Sequence, residues 1–220
     1  MTGQTDPRSP PVPDWAERTE QAVLDAALSL APGMGWTWPM VYAAARREGL
    51  SRAETQLLMP GGPRDLAALL ARRHDAAGLA ALPDPASLKI RQRIRAGVEA
   101  RLEAAAADRE AVRRWAGFLA LPLNLPLALR LVWAGADGIW RWAGDTATDE
   151  NHYSKRAILS AILVSTQAID LSSGREAALA YLDARIQNVM DFEKWKAGVK
   201  PADLLVEVAG ALGRMRYGRA

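Results

Sequence analysis

Length, composition and charge exclude several classes of protein at the outset. The chain has 220 residues, of which 50% are hydrophobic, and a formal net charge of +3, so it can form a packed core and is not disordered throughout. It has no cysteine and two histidines, His74 and His152, which excludes disulfides, cysteine nucleophiles and three-histidine metal sites.

Residues 1–14 contain four prolines and no apolar run, which predicts a disordered lead-in rather than a signal peptide. One long uncharged window, residues 115–129, contains two prolines. It is also shorter than the roughly twenty apolar residues of a membrane-spanning helix, so it predicts buried core. We therefore expect a cytoplasmic protein, or one attached to a membrane from one side.

Almost all of the chain after residue 14 has the pattern of α-helices. Ala, Leu, Arg and Glu dominate, and apolar residues recur at intervals of three and four without a strand pattern of period two. The predicted helices cover residues 20–30, 37–49, 51–59, 64–82, 86–107, 108–121 and 126–143, followed by one capped by Thr148 and a last long one after the turn at 172–174. The centre of the Thr148 helix, residues 157–164, is apolar nearly all round, which predicts burial on most faces. The fold class predicted is an all-α bundle of nine or ten helices.

A separate segment after Pro201 has the pattern of an amphipathic helix that ends in arginines. Its apolar face consists of Leu204, Leu205, Val208, Leu212 and Met215. Such a helix is able to lie on an anionic membrane surface or in a groove. The alternative is a terminal helix packed on its own domain.

The chain offers few residues for catalysis. Asp149 and His152 are the one carboxylate–histidine pair at helical spacing, whereas a di-iron bundle site needs two such pairs and further glutamates. A Gly-x-Ser-x-Gly elbow and phosphate-binding glycine motifs are absent. We therefore expect a protein that is not an enzyme and that has no metal and no cofactor.

Residues 37–70 have the spacing of a helix-turn-helix and resemble the N-terminal domain of the TetR regulators. A helix that reads DNA needs side chains for phosphates and base edges. The third helix offers Arg52, Glu54, Thr55 and Gln56, so its one basic residue is offset by one acidic residue. We expect no nucleic-acid binding, and a TetR-type transcriptional regulator that senses an apolar effector is the alternative function.

A denser set of residues in the second half of the chain resembles one family. The set comprises residues 143–149, Asn151, Tyr153, Lys155, Arg156, Leu121, Pro122, Asn124, Pro126, Ala128, Leu129, Ser165, Thr166, Leu182, Asp183, Arg185 and Ile186, with Gly35, Trp36 and Thr37 upstream. On these residues the chain resembles the Coq-nine family of lipid-binding accessory proteins of ubiquinone biosynthesis. The resemblance covers residues 23–196 and is densest over 119–196.

The resemblance implies a TetR-like all-helical fold that has lost DNA binding. It also implies an apolar cavity for an isoprenoid quinone intermediate, a homodimer through the last two long helices and a terminal amphipathic helix for the membrane. The partner that it implies is the di-iron demethoxyubiquinone hydroxylase. Four parts are expected: the lead-in 1–14, a helix-turn-helix-like part 15–82, a ligand-binding and dimerisation domain 83–200, and the amphipathic helix 201–220.

Two sets of residues carry the expected lipid and partner contacts. The large apolar side chains expected to contact the lipid are Trp115, Phe118, Leu119, Leu123, Leu127, Leu131, Trp133, Ile158 and Ile162. The residues that the resemblance places on the hydroxylase-facing surface are Asp137, Ile139, Trp140, Asp149, Asn151, His152 and Tyr153. From periodicity alone, an ordinary closed core is the alternative to a cavity.

The expected function is therefore that of a non-enzymatic accessory protein that presents a polyprenyl quinone intermediate to the hydroxylase, or holds a phospholipid. Its expected location is peripheral, on the inner face of a bacterial membrane. Family members commonly read Asp-Phe-Asn-Trp-Tyr where this chain reads Asp-Glu-Asn-His-Tyr at residues 149–153. Glu150 and His152 thus replace two aromatic side chains. Because aromatic anchors dominate many interfaces, we expect the partner contact to be weaker or to fit a correspondingly changed partner.

Overall fold

The computed structural model describes residues 15–146 and 150–198, and over these residues it contains nine α-helices, two short 3-10 helices and no strand. The predicted all-α fold is confirmed. The lead-in 1–14, the capping residue Thr148 and the C-terminal segment 201–220 lie outside the described residues.

The α-helices are numbered in chain order. They are α1 (Trp15–Met34), α2 (Trp38–Arg47), α3 (Arg52–Leu58), α4 (Pro63–Ala80), α5 (Ile90–Ala106), α6 (Arg109–Leu119), α7 (Leu125–Trp142), α8 (Glu150–Ser173) and α9 (Arg175–Gly198). The 3-10 helices, Pro85–Ser87 and Pro122–Asn124, precede α5 and α7.

The starts of α2 and α3 follow from their capping residues. The Thr37 hydroxyl accepts a hydrogen bond from the Met40 amide. Ser51 and Glu54 form a reciprocal capping box, in which the Ser51 amide donates to the Glu54 carboxylate at 2.8 Å. Between the two helices Gly49 has a φ of +80°, a conformation that glycine adopts without steric cost. The predicted caps Thr37 and Ser51 are confirmed.

Two predicted helix ends are wrong. α1 continues through Pro32 to Met34, because its buried face extends to Ala31 and Gly35, with a φ of +67°, ends the helix instead. The predicted helix 86–107 is divided, because Asp84 caps a separate 3-10 turn through the Ala86 amide and α5 begins only at Ile90.

The buried side chains form two clusters that divide the bundle. The first includes the inner faces of α1, α2 and α4 with α6 packed on them, and the second joins α5, α7, α8 and α9. α4 packs on both α5 and α7 and thereby connects the two clusters. The helices of the second cluster therefore pack on the N-terminal half through α4.

The centre of α8 is less buried than predicted. Leu159, Ile162 and Leu163 belong to the second cluster, but Ala157 and Ala161 are exposed and Val164 is 58% exposed. The predicted burial therefore holds for the rest of this segment, while the face with Ala157, Ala161 and Val164 has no covering element among the described residues.

No single helix of the described chain is long and apolar enough to cross a membrane. The segments Arg109–Leu119 and Pro122–Trp142 pass the length and composition test as a pair, but they are bent by 91° at the break between them.

Candidate ligand cavity and partner surface

A mostly apolar cavity of about 660 Å³ lies between α6, α7 and α8, with one contribution from α5. This volume falls within the range of about 300–1,000 Å³ that is common for small-molecule sites. The lining residues are Arg101, Trp115, Ala116, Gly117, Leu119, Ala120, Leu125, Ala128, Leu129, Leu131, Val132, Leu163, Val164, Gln167, Ala168 and Leu171.

The bend between α6 and α7 creates this cavity. Asn124 is buried at the bend, where its amide donates to the Phe118 carbonyl at 2.9 Å and its side-chain oxygen accepts from Arg64 at 2.9 Å. On the wall, the Trp115 indole N–H donates to the Ala67 carbonyl at 3.0 Å. These hydrogen bonds hold the turn and one wall of the cavity in place.

The structure brings only part of the predicted lipid-contacting set into this cavity. Trp115, Leu119 and Leu131 line it. Ile158 and Ile162 line a second cavity of about 240 Å³ between α5, α7, α8 and α9. The four others, Phe118, Leu123, Leu127 and Trp133, line neither cavity. Leu123 is 79% exposed at the α6–α7 bend, so its side chain points outward.

The sequence reasoning missed the polar members of the lining, Arg101 and Gln167. Arg101 is 8% exposed, and its Nε donates to the Asp75 carboxylate of α4 at 2.5 Å. Gln167 is 7% exposed, and its Oε1 accepts no hydrogen bond. The sequence does indicate that Arg101 is buried, because Arg101 follows Ile94 and Val98 at helical spacing on the inner face of α5.

The predicted partner surface lies where α7 ends and α8 begins. Arg156 is 2% exposed there, and its guanidinium donates to Asp137 at 2.6 Å and to Asp145 at 3.0 Å. Lys155 donates to the other oxygen of Asp145 at 2.7 Å. This charge cluster fixes the first turns of α8 against the end of α7.

Burial by itself would raise the pKa of the Asp145 carboxyl. The hydrogen bonds from Lys155 and Arg156 outweigh that effect and hold this pKa below its usual range. Asp145 is therefore a charged structural group at neutral pH, and the sequence reasoning did not name it as a site residue.

The seven predicted partner residues do not all reach this surface. Tyr153 is 64% exposed, packs beside Trp133 with ring centroids 6.3 Å apart, and is available to a partner. Trp140 is half-buried and its indole N–H donates to the Lys155 carbonyl at 3.1 Å. Asp137 is bound to Arg156 and to Arg141.

Ile139, by contrast, is 3% exposed within the second core cluster, so its side chain does not reach the surface and its predicted partner contact is wrong. The ring of His152 lies edge-on to Tyr153, with centroids 5.2 Å apart, and is half-buried. Asp149 and the side chain of Asn151 lie outside the described part of the chain.

The polar side chains of α3 are engaged within the protein. The Arg52 guanidinium lies over the Tyr42 ring at 4.5 Å, and the Gln56 amide donates to the Tyr42 hydroxyl at 2.9 Å. The hydrogen bonds from the Ser51 side chain and backbone lower the pKa of Glu54, which keeps a negative charge on this helix. The arrangement does not favour the regulator alternative, because a reading helix needs free donors for phosphates and bases.

Over residues 15–146 and 150–198, no three His, Asp or Glu side chains are grouped so that they would hold a metal ion.

Comparison with known proteins gives one consistent result. The model of the family described as COQ9 matches residues 125–193, which include α7, α8 and most of α9. The ubiquinone biosynthesis protein COQ9-A, mitochondrial, of Xenopus laevis is 30% identical over 188 residues, which are 79% of this chain and 58% of that protein. The COQ9 proteins of Rattus norvegicus and Homo sapiens are 30% and 29% identical over 186 residues, or 80% of this chain and 60% and 58% of theirs.

This chain thus spans about three fifths of the length of these relatives. The relatives are named as mitochondrial proteins of eukaryotes. The expected location on the inner face of a bacterial membrane is therefore wrong.

Proposed function

We infer from these similarities that this chain is a member of the COQ9 family, and we propose that it serves ubiquinone biosynthesis as a lipid-binding accessory protein without catalysing a reaction itself. The names of the relatives indicate the role in ubiquinone biosynthesis. The observation that supports lipid binding is the apolar cavity of about 660 Å³ between α6, α7 and α8.

The cavity suits a long apolar chain better than a compact polar metabolite. Almost all of its lining side chains are apolar, and burial of a ligand's apolar surface contributes about 25 cal/mol per Å². Leu125, Leu129 and Val164 belong to the lining and are at least half exposed. They form an apolar rim through which a polyprenyl quinone intermediate or a phospholipid tail enters.

The proposed partner is the di-iron demethoxyubiquinone hydroxylase. Its proposed contact is the surface around Tyr153. The buried Arg156 beneath this surface joins the start of α8 to Asp137 and Asp145 by hydrogen bonds. An exposed aromatic side chain on a fixed helix start suits an interface anchor. A chain that binds the quinone intermediate and also docks to the hydroxylase would present the intermediate to this enzyme.

The proposal includes a homodimer and a membrane contact. The exposed first half of α8, with the small residues Ala157 and Ala161, lets a second helix approach closely and so supports a dimer through α8 and α9. The proposed membrane contact is the segment of the C-terminal residues Leu204, Leu205, Val208, Leu212 and Met215, which lies outside the described residues.

Filling the cavity tests the proposal. Gly117 lines the cavity, and a Cβ at this position meets no atom within 4 Å, so Gly117→Trp can attach a large ring to the cavity wall without a clash at its Cβ. Gly33 in α1 has the same free space and is not part of the lining, so Gly33→Trp is the matched control. We expect the lipid that co-purifies with the protein, measured by mass spectrometry of organic extracts, to fall at least fivefold in Gly117→Trp and to be unchanged in the control.

Purified chain that yields no lipid, and that takes up neither a prenylated quinone nor a phospholipid from vesicles, would contradict the proposal. Equal loss in both variants would show that the large side chain acts on folding instead of on the cavity. Circular dichroism of the two variants checks that their helix content matches that of the unchanged chain.

A further inference from the structure

A cluster of exposed leucines surrounds the bend between α6 and α7. It consists of Leu121, Leu123, Leu125 and Leu129, each at least 50% exposed, and we call it the leucine corner. Four of the ten exposed large hydrophobic residues of the described chain thus fall within positions 121–129. A single exposed apolar residue is ordinary, but a contiguous patch marks a surface that another molecule or a membrane covers.

The shape of the leucine corner suits a lipid layer better than a folded partner. α6 and α7 meet here at an angle of 91°, and residues 115–129 contain no charged side chain. Leu123, which is 79% exposed, lies on the turn itself, in the 3-10 helix Pro122–Asn124. A projecting apolar turn offers a folded protein little area to pack against, whereas acyl chains adapt to its shape.

Several polar backbone groups of the leucine corner are already hydrogen-bonded within the protein. The Asn124 amide donates to the Leu121 carbonyl at 2.8 Å, and Arg64 donates to the Leu123 carbonyl at 3.2 Å. The two prolines of the bend have no N–H to satisfy. Because unbonded backbone groups are costly to remove from water, these features lower the cost of moving the corner into an apolar surrounding.

The charges on both sides of the leucine corner are positive. Arg114 precedes the uncharged window and Arg130 follows it, and both are exposed. Residues 111–136 contain three arginines and no acidic residue. Arginines beside an apolar surface are attracted to anionic lipid head groups within about a Debye length. The corner therefore matches an anionic bilayer in its charged part as well as in its apolar part.

The leucine corner adjoins the mouth of the cavity between α6, α7 and α8. Leu125 and Leu129 belong both to the corner and to the cavity lining, and the exposed Val164 of α8 lies in the same lining. A bilayer in contact with the corner would therefore touch the rim of the cavity. An apolar molecule would then pass between bilayer and cavity without crossing water.

We propose that the leucine corner inserts into the surface of an anionic bilayer, as a membrane contact separate from the C-terminal segment 201–220. For the role of the cavity this inference rests on the proposed function, since insertion places the cavity mouth against the acyl chains. It predicts that residue 123 enters the lipid layer and that vesicle binding depends on the leucines and on anionic lipid.

The position of residue 123 is the direct test. The chain has no cysteine, so Leu123→Cys in the full chain provides a single attachment site for an environment-sensitive fluorophore. With vesicles of phosphatidylcholine and phosphatidylglycerol, we expect its emission to shift to shorter wavelength and to be quenched by spin-labelled lipid. Thr146→Cys is the control, because Thr146 is exposed beyond the opposite end of α7, a helix about 27 Å long. A label there should stay in water.

Vesicle affinity, measured by flotation of the full chain, is the second readout. Leu123→Glu should lower the affinity about tenfold or more, because it removes an inserted leucine and adds a charge that anionic lipid repels. Leu57→Glu is matched in charge and in exposure, since Leu57 of α3 is 83% exposed, and should leave the affinity unchanged. Arg130→Gln should weaken binding to the vesicles with phosphatidylglycerol about fivefold, with no effect on pure phosphatidylcholine vesicles.

Three outcomes would overturn the insertion of the leucine corner. The first is a label at residue 123 that stays in water while the chain binds the vesicles. The second is an equal loss of affinity in Leu123→Glu and Leu57→Glu, which would assign the effect to the added charge alone. The third is a Leu123→Glu variant with full vesicle affinity and an altered mass in analytical ultracentrifugation, which would assign the leucines to a protein interface.

A further variant separates this inference from the function on which it rests. Leu205→Glu combined with Leu212→Glu disables the apolar face of the C-terminal segment, which lies outside the described residues. If this variant loses all vesicle binding while Leu123→Glu retains it, the corner is refuted and the proposed C-terminal contact stands. If the unchanged chain binds no vesicles, both membrane contacts are refuted, whereas the lipid content of the purified chain still tests the cavity.

Discussion

His74 is a buried histidine of α4 among charged neighbours. Its side chain is 4% exposed, and its Nε2 lies 3.4 Å from the Asp108 carboxylate. Burial lowers the pKa of the His74 ring, and the positive charges of Arg101 and Arg73 act in the same direction, against the opposing hydrogen bond to Asp108. The neutral imidazole is therefore the form that packs at neutral pH, where α4 meets the start of α6.

The pKa shift of His74 predicts a loss of stability in mild acid. In the unfolded chain the His74 ring has the ordinary histidine pKa of 6.5 and takes up a proton as the pH falls through that value, whereas the folded protein resists protonation. The contribution of His74 to the free energy of unfolding is therefore fully present above pH 6.5. It is lost as the pH falls below 6.5, by about 1.4 kcal/mol for each pH unit that separates the folded from the unfolded pKa. The free energy of unfolding from urea titrations at pH 7.5 and 5.5 measures this loss.

His74→Gln is the control for this prediction, because glutamine does not titrate. The variant should lose less stability than the unchanged chain between the two pH values. Asp145 does not confuse the comparison, since its lowered carboxyl pKa keeps it charged throughout that window. Parallel losses in both proteins would show that His74 is not the group responsible.

At the scale of the elements, three glycines set how closely the helices approach. Gly78 of α4 lies against the backbone of α5 at Arg101, where a Cβ would have a neighbour at 3.2 Å. Gly97 of α5 lies against Ile139 of α7, and Gly135 makes room for the Asp75 ion pair. The absence of side chains at these positions brings α4, α5 and α7 together behind the cavity.

Gly97→Ala tests this close packing. A Cβ at Gly97 would lie 2.5 Å from Cγ2 of Ile139, so α5 and α7 must move apart. Overpacking of this kind costs about 1–3 kcal/mol, which exceeds the gain of up to about 1 kcal/mol from replacing a helical glycine by alanine. We expect a net decrease in the free energy of unfolding, measured by urea denaturation.

Gly117→Ala is the matched helix-interior substitution, because a Cβ at Gly117 meets no atom within 4 Å. It should raise the free energy of unfolding by about 0.5–1 kcal/mol. Combining Gly97→Ala with Ile139→Ala removes the clashing methyl, so the two losses should be less than additive. A stabilising effect of Gly97→Ala alone would contradict the proposed contact.

The sequence predicts local features of this fold better than it predicts the contacts between helices. Thr37 and Ser51 were predictable as caps because their partners lie three residues away. The Gly97–Ile139 contact joins distant parts of the chain, so the sequence did not predict it, and the family resemblance placed Ile139 on the partner surface instead of in the core. In the same way, the apolar character of Leu123 did not reveal that the α6–α7 bend turns it outward.

At the scale of the whole molecule, α8 connects the two proposed activities. Its first turns carry Tyr153 and the Arg156 cluster, and its later turns line the cavity through Leu163 and Gln167. At about 1.5 Å per residue, Tyr153 and Gln167 are separated by roughly 20 Å along the helix. This distance makes it possible to impair one surface while the other is left intact.

Tyr153→Ala should therefore separate partner binding from lipid binding. Tyr153 is largely exposed, so its removal leaves the core unchanged, and the loss of a central aromatic anchor costs about 2 kcal/mol, or roughly thirtyfold in affinity. Calorimetry with a purified demethoxyubiquinone hydroxylase measures that loss, and the lipid content of the same preparation should equal that of the unchanged chain. Tyr153→Phe keeps the ring and should retain most of the affinity. Full hydroxylase affinity in Tyr153→Ala would mean that the partner docks elsewhere, whereas a parallel loss of lipid would mean that the two ends of α8 do not act independently.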